Sequence, residues 1–220
     1  MRPAVLDFAR DIAEHFPRQE PVVEFGARVA EGQEGLADLR SLFGAVDYIG
    51  CDIQEGPGVD RIEDLHALTF ADGSVGTIIC LETLEHVADP LRAVQEMHRI
   101  LAPGGVMAIS SLMFFPIHAH PWDYWRFTPE AFGLLLEPFE SSLVVAQGWE
   151  LMPEGVFGVG VKGTAKLTAS QLPRTVDRAD RWGRGKSVDL GPMRMSVGEL
   201  WRFTLRNTGA ALGRRFSRSR

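Results

Sequence analysis

The sequence of 220 residues predicts an α/β fold with a mostly parallel, seven-stranded sheet, helices on both faces and a terminal antiparallel strand pair. Short apolar runs alternate with helix-like segments, which is the pattern of a doubly wound sheet. Glycines or acidic residues follow the first runs, at the point where parallel strands end. Two further strand-like runs, separated only by a short loop, close the pattern and indicate the antiparallel pair.

The first predicted element is an amphipathic helix over residues 1–16, whose scattered charges leave no signal-peptide core. Five apolar runs are expected to form the parallel part of the sheet: 21–25, 46–51, 59–62, 75–81 and 106–110. The closing strands are predicted over 143–146 and 156–161.

Three helices are predicted between these strands, over 34–43, 90–101 and 129–137. The second and third each begin with an N-cap residue followed by proline, which suits the first helical turn. The Pro-Gly-Gly sequence at 103–105 is expected to stop the second helix. Beyond Gly163 the periodicity fades until 197–212, where a basic helix is predicted.

The composition is 45% hydrophobic and 24% charged, as in a soluble globular protein. No apolar run approaches the ~18 residues that a membrane-spanning helix needs. Cys51 and Cys80 each lie inside an apolar run, which favours buried thiols over a disulfide framework. We therefore expect a cytoplasmic protein.

Charge divides the chain into two parts. Residues 1–161 hold 9 Lys and Arg against 25 Asp and Glu, whereas residues 162–220 hold 14 against 4. This asymmetry predicts a ligand-binding domain over 1–163 and a basic C-terminal extension over 164–220 with a different role.

Candidate ligand groups follow the first three strands. Ligands of open α/β sheets bind at the carboxyl ends of the strands, near the point where strand order reverses. Gly26 would let a ligand approach the backbone closely. Asp52 could accept hydrogen bonds from two ribose hydroxyls, and Asp64 with Leu65 could meet an adenine edge. Acidic residues at strand ends are also common caps, so the argument depends on their order and spacing together.

Two stretches resemble a known family. FADGSVGTII at 70–79 with LEHV at 84–87, and EMHRILAPGG at 96–105, are similar to class I S-adenosylmethionine-dependent methyltransferases of the methyltransferase-11 type. The resemblance spans about 22–163 and implies a Rossmann-like class I fold, S-adenosylmethionine as cofactor and methyl transfer as the activity. The implied cofactor contacts are Glu24 and Gly26 at the methionine end, Asp52 at the ribose, Ile53, Asp64 and Leu65 at the adenine, and Leu81 and Glu82 along the cofactor.

The first glycine motif departs from the family pattern. Of the usual three glycines only Gly26 is present, and Arg28 replaces the second. Arg28 either pairs with the carboxylate of the cofactor, a favourable bidentate geometry, or is a surface arginine of a re-routed loop. A nicotinamide dehydrogenase is the main rival, because a glycine turn followed by an acid would also suit it. The missing phosphate-binding glycines and the terminal strand pair favour the methyltransferase.

The segment 116–127, which we call the acceptor loop, contains the candidate catalytic residues. His118 and His120 are predicted as general bases with Asp123 as their partner, since methyl transfer to an alcohol requires removal of a proton. These three could also hold a divalent ion, but no further ligands are evident and no metal is predicted. The residues predicted to contact the acceptor are His86, Trp122, Tyr124, Trp125 and Arg126. Alternatively, Asp123 and Arg126 form an ion pair that pins the loop while the aromatic residues pack on the sheet.

The predicted reaction is O-methylation of a small hydroxylated acceptor, either a sugar of a surface glycan or a secondary metabolite. The acceptor loop resembles Asp-Tyr-Trp-Arg-Phe-Thr-Pro loops of bacterial methyltransferases linked to such compounds. Two alternatives stay open: a non-catalytic cofactor-binding protein, and an RNA methyltransferase anchored by the basic tail. That tail could pack on the acidic domain, on a second subunit in a homodimer or on an anionic membrane surface, and nucleic acid is not the expected partner.

Overall fold

A computed structural model describes residues 2–29, 38–119, 121–149, 152–183, 188–190, 193–196, 198 and 202. The strands are β1 (Val22–Phe25), β2 (Tyr48–Asp52), β3 (Arg61–Ile62), β4 (Val75–Leu81), β5 (Leu101–Leu112), β6 (Ser141–Trp149), β7 (Met152–Val161), β8 (Val188–Leu190) and β9 (Met193–Met195). The α-helices are α1 (Pro3–His15), α2 (Arg40–Phe43), α3 (Pro90–Ile100), α4 (Pro129–Leu135) and α5 (Pro173–Gly183).

The main sheet has seven strands in the order β3-β2-β1-β4-β5-β7-β6. The five strands β1 to β5 are mutually parallel, while β7 runs antiparallel to both of its neighbours. The strand order reverses between β1 and β4, so the crevice for a ligand lies outside the carboxyl ends of these two strands. The predicted sheet, including its terminal antiparallel pair, is confirmed.

Helices cover both faces of the sheet because successive strand residues point to opposite sides. Val22 and Ile79 belong to the core under α1, whereas Val23 and Ile78 belong to the core under α3 and α4. On the α1 side Phe8 packs against Phe157 with ring centroids 5.1 Å apart. Both cysteines are buried free thiols.

The second predicted helix ends differently from our expectation. It stops at Ile100, and β5 begins at once, so the Pro-Gly-Gly sequence at 103–105 forms an irregularity inside a strand. Lys162 explains the early end, since its Nζ donates to the carbonyl oxygens of His98 and Leu101 at 2.8 and 2.7 Å. These bonds satisfy carbonyl groups that the helix end leaves without partners.

Of the helix predicted over 34–43, the structure describes α2 alone as helical, and 34–37 lie outside the described residues. The helix predicted over 197–212 also lies outside them, apart from Gly198 and Arg202.

Part of the basic extension packs on the acidic N-terminal helix. Arg174 pairs with Asp11 at 3.1 Å and with Glu14 at 2.8 Å, and Arg178 pairs with Asp7. Helix α5, which carries these arginines, was not predicted from the sequence. The domain boundary at 163 stays a prediction. In the part of the chain that the structure describes, no helix combines the length and apolar character needed to cross a bilayer.

Candidate functional site

Two acidic residues lie at the carboxyl ends of β2 and β3, together with neighbouring apolar side chains. We call Asp52, Ile53, Asp64 and Leu65 the carboxylate edge. The two oxygens of Asp52 accept from the backbone N–H groups of Arg28 at 3.3 Å and Gln54 at 3.0 Å. Ile53 is 64% exposed, an unusual position for a large apolar side chain, whereas Leu65 is buried.

Asp64 is half exposed and held by the residue two positions later. Its Oδ1 accepts from the backbone N–H of His66 at 2.8 Å and lies 2.7 Å from Nδ1 of the same residue. These bonds, the backbone one first, hold the pKa of Asp64 below its usual value. Asp64 is therefore ionised near neutral pH, and both acids of the carboxylate edge keep oxygen lone pairs for further hydrogen bonds.

The loop after β1 shows why its single glycine is required. Gly26 has φ +82°, and a Cβ added there would lie 2.1 Å from Oγ1 of Thr83. Its N–H and that of Ala27 both donate to the carbonyl oxygen of Cys51. The glycine thus permits close packing of this turn against the chain after β4. Arg28 is exposed, and its side chain lies against Gly56.

Glu24 differs from the other acids of this half of the sheet. Its carboxylate accepts from the Tyr48 hydroxyl at 2.7 Å, and burial raises its pKa to about 7. It borders a cavity of about 150 Å³, lined by Glu24, Ala27, Val29, Asp38, Arg40 and Gly58. This volume is below the ~300 Å³ that is usual for small-molecule pockets.

Across the switch point, an N-terminal arginine meets the end of β4. Arg2 lies 2.9 Å from the carboxylate of Glu82 and 3.2 Å from that of Glu154. Glu82 has φ 51° and also accepts from the Ser110 hydroxyl at 3.1 Å. Leu81, just before it, is half-buried. Arg2 was not predicted as a site residue, because 80 residues separate it from Glu82.

Three side chains form what we call the imidazole cluster: Glu85, His86 and His118. One ligand-type atom of each lies within 4.8 Å of the others, and the two imidazole rings have centroids 4.8 Å apart. Glu85 is fully buried and its Oε2 accepts from the Ser111 hydroxyl at 2.6 Å. Burial, together with the nearby charge of Glu82, raises its pKa. Sequence reasoning quoted Glu85 in a motif but assigned it no role.

Asp123 and Arg126 fix the acceptor loop. The Asp123 side chain is 1% exposed and accepts two bonds from Arg126, at 2.6 and 2.7 Å, and one from the His118 N–H at 2.8 Å. The Arg126 bonds hold the pKa of Asp123 well below its usual range. Arg126 also donates to the carbonyl oxygens of Phe115 and Pro116. Its guanidinium is thus used inside the loop, as an ion pair that pins the loop would require.

The aromatic residues of the loop remain open to solvent. Trp122, Tyr124 and Trp125 are all exposed, although Trp125 Nε1 donates to the carbonyl oxygen of Val87 at 2.8 Å. The backbone N–H groups of Tyr124 and Trp125 both donate to the Glu85 carbonyl oxygen, which ties the loop to the imidazole cluster. The predicted base His120 lies outside the described residues.

The known sequences that resemble this chain include methyltransferases. Residues 35–109 match the family model described as a methyltransferase domain. A human thiol S-methyltransferase is 38% identical over 65 residues, 30% of this chain and 24% of that protein. A ubiquinone biosynthesis O-methyltransferase of Parvibaculum lavamentivorans is 31% identical over 96 residues, 42% of this chain and 35% of that protein. The chain therefore spans about a quarter to a third of the length of these relatives.

Solved structures give the same fold. A methyltransferase of Thermotoga maritima, described as a possible histamine N-methyltransferase, has a TM-score of 0.53 at 19% identity and covers 72% of this chain and 89% of its own. A methyltransferase of Archaeoglobus fulgidus has a TM-score of 0.53 at 14% identity, covering 70% of this chain and 90% of its own. Residues 35–109 are thus similar to a methyltransferase domain, and the order of the strands together with these solved structures shows the class I methyltransferase fold.

Proposed function

We propose that this protein uses S-adenosylmethionine to methylate an oxygen atom of a small hydroxylated acceptor. The observation that carries the proposal is the position of two chemically different groups at one end of the sheet. The carboxylate edge lies at β2 and β3, and the imidazole cluster lies after β4 and β5, on the other side of the switch point.

The carboxylate edge fits the nucleoside part of the cofactor. Asp52 uses its oxygens only for two backbone N–H groups of the described chain, so lone pairs stay available for ribose hydroxyls. Ile53 offers an apolar surface for the flat face of a base. Asp64 has acceptor capacity for an amino group. When bound, the cofactor supplies a methyl group activated by its positive sulfur.

The imidazole cluster favours oxygen over sulfur as the acceptor atom. A thiol has a pKa of about 8.5 and forms a thiolate readily, whereas an alcohol needs a group that promotes loss of its proton. His86 and His118 supply such a group, and the buried Asp123 carboxylate fixes the orientation of His118. Three exposed aromatic side chains nearby offer rigid contact area for a ring-shaped acceptor such as a sugar or a phenolic metabolite.

Calorimetric titration of the protein with S-adenosylmethionine tests the cofactor assignment. We expect binding in the parent chain and a loss of at least about tenfold in affinity for Asp52→Ala, since one residue would bond two hydroxyls. Asp47→Ala is the matched control, because Asp47 is an exposed acid just before the other end of β2. Absence of binding in the parent, or equal affinities for both variants, would contradict the assignment.

Formation of S-adenosylhomocysteine tests the acceptor class. We expect turnover with small sugars or phenols and none with thiols or RNA of comparable concentration. Turnover confined to a thiol would replace oxygen by sulfur as the acceptor atom, and turnover confined to RNA would replace the small molecule.

A further inference from the structure

The imidazole cluster has the composition of a metal site. It brings together one carboxylate and two imidazoles, with one ligand-type atom of each within 4.8 Å of the others. The residues come from two separate segments, the 3₁₀ turn Leu84–His86 after β4 and the acceptor loop after β5. Local sequence therefore does not force them together, and the fold has to assemble them.

The buried carboxylate is the first independent argument. Glu85 is fully buried, and its Oε1 has no hydrogen-bond partner among the described residues. A buried polar atom without a partner is costly, and a buried charge is usually paired or bound to a metal. Arg2, whose charge acts on Glu85, does not fill this role, because it pairs with Glu82 and Glu154.

The orientation of the two imidazoles is the second argument. Nδ1 of His86 lies 2.8 Å from the carbonyl oxygen of Trp122. Nδ1 of His118 hydrogen-bonds with the carbonyl oxygen of Pro116 at 3.3 Å and lies 3.3 Å from the carboxylate of Asp123. An acceptor next to Nδ1 keeps the proton there and leaves Nε2 as the nitrogen with a free lone pair. Histidines that bind metals almost always have such a partner on their other nitrogen.

Asp123, which lies next to the His118 ring, is itself held in place. Its carboxylate is held by both terminal nitrogens of Arg126, so the partner of His118 is itself fixed. A carboxylate next to the other ring nitrogen of a ligand histidine fixes the orientation of the ring. The ion pair that pins the acceptor loop therefore also orients one predicted ligand.

We propose that Glu85, His86 and His118 bind a divalent transition-metal ion such as Zn²⁺ or Mn²⁺. Two imidazole nitrogens and one carboxylate oxygen are a ligand set that such ions accept, and three protein ligands leave positions open for other oxygens. Ligand atoms lie about 2.1 Å from Zn²⁺ and hence ~3.4 Å from one another, so the side chains would draw together on binding.

This inference deepens the proposed function, and only the effect of the ion on the acceptor rests on that function. An acceptor hydroxyl on an open position of the ion would lose its proton more easily, as metal-bound water does. The imidazoles would then promote loss of the proton as ligands of the ion. Binding of the ion itself does not depend on the reaction.

Titration of metal-free protein without a polyhistidine tag tests the site. Zn²⁺ and Mn²⁺ are added separately in a calorimeter, and Co²⁺ is added as a spectroscopic probe of nitrogen and oxygen ligation. We expect one ion per chain in the parent and a loss of at least about tenfold in affinity for both Glu85→Gln and His118→Ala. The matched control is His15→Ala, which removes an exposed imidazole at the end of α1 and should bind as the parent does.

Two outcomes would overturn the site: no binding of any of the three ions to the parent, or equal binding by the parent and both variants. Thermal unfolding of each variant shows whether it is folded, and His118→Ala, in an exposed loop, covers the case that Glu85→Gln does not fold. S-adenosylmethionine affinity of the metal-free parent is measured alongside. Failure of that binding with intact metal binding would remove the proposed function and leave the metal site.

Discussion

Asp52 and Asp64, on one side of the switch point, keep their carboxylates in contact with solvent, whereas Glu85 and Asp123, on the other side, are buried. The exposed pair accepts from the backbone N–H groups of Arg28, Gln54 and His66. In the buried pair, Glu85 accepts from the Ser111 hydroxyl of β5, and Asp123 accepts from the Arg126 guanidinium. Exposed acids can bind neutral hydroxyls at little desolvation cost, while buried acids need a positive partner. Changes on the first side should therefore affect ligand affinity, and changes on the second should also affect folding.

Glu24 lies on the same side as Asp52 and Asp64, but burial raises its pKa. The largest expected effect is therefore the pH dependence of the unfolding free energy that Glu24 causes. Burial raises its pKa to about 7 from 4.5, so the folded state favours the protonated carboxyl. Its stabilising contribution is complete below the unfolded pKa and is lost as the pH rises through 7. Relative to Glu24→Gln, the parent should lose about 2 kcal/mol of unfolding free energy between about pH 5 and pH 8.

Urea unfolding at several pH values measures this difference. Glu14→Gln, on the surface of α1, is the control, and its difference from the parent should change little over the same range. A constant difference between Glu24→Gln and the parent would place Glu24 with the exposed acids.

Arg126→Ala tests the buried side directly. It leaves the Asp123 carboxylate without its bidentate partner, and removal of one member of a buried pair is strongly destabilising. Because Arg126 itself is partly exposed, we expect about 2 kcal/mol in unfolding free energy, less than for a fully buried pair. Arg92→Ala, at an exposed position of α3, should cost under about 0.5 kcal/mol. Equal costs for the two variants would remove the distinction between the two sides.

Ile53→Ala is expected to have the smallest effect on folding. Its side chain is 64% exposed, so truncation should change the unfolding free energy by less than about 0.5 kcal/mol. If a base packs on it, the same change should lower S-adenosylmethionine affinity about fivefold, corresponding to roughly 1 kcal/mol of apolar contact. Ile62→Ala, another exposed apolar residue nearby, serves as the control. A marked loss of stability without a change in affinity would show that Ile53 supports the fold.

The sheet was predictable because its central strands β1, β2 and β4 are short, mainly apolar runs. Thr128 was likewise identified as a helix cap, and its hydroxyl accepts from the Ala131 N–H. The end of α3 was predicted to within one residue, but its contact with Lys162 was not, since Lys162 lies more than 60 residues away. Helix α5 was missed because it contains few apolar residues and its arginines pair with acids of α1.

In the candidate site, too, local sequence was enough to select some residues, whereas contacts between distant segments could not be predicted. Strand-end position was enough to select Asp52 and Asp64 as candidates, because it depends on local sequence and on the general geometry of parallel sheets. Selecting Glu85 as a site residue would have required knowledge of its burial, since an acid next to a histidine in a helix-like turn is usually solvated. The pairing of His86 with His118 joins two loops that only the complete sheet brings together.

Helix α1 has a consequence for how the chain can be divided. Arg2, at its start, neutralises Glu82 beside the imidazole cluster, while Asp7, Asp11 and Glu14 anchor the arginines of α5. A deletion of the first 15 residues would remove both sets of contacts in one step. Truncations that remove α1 therefore cannot separate the site from the extension, whereas point changes at Arg2 and Arg174 probe the two individually.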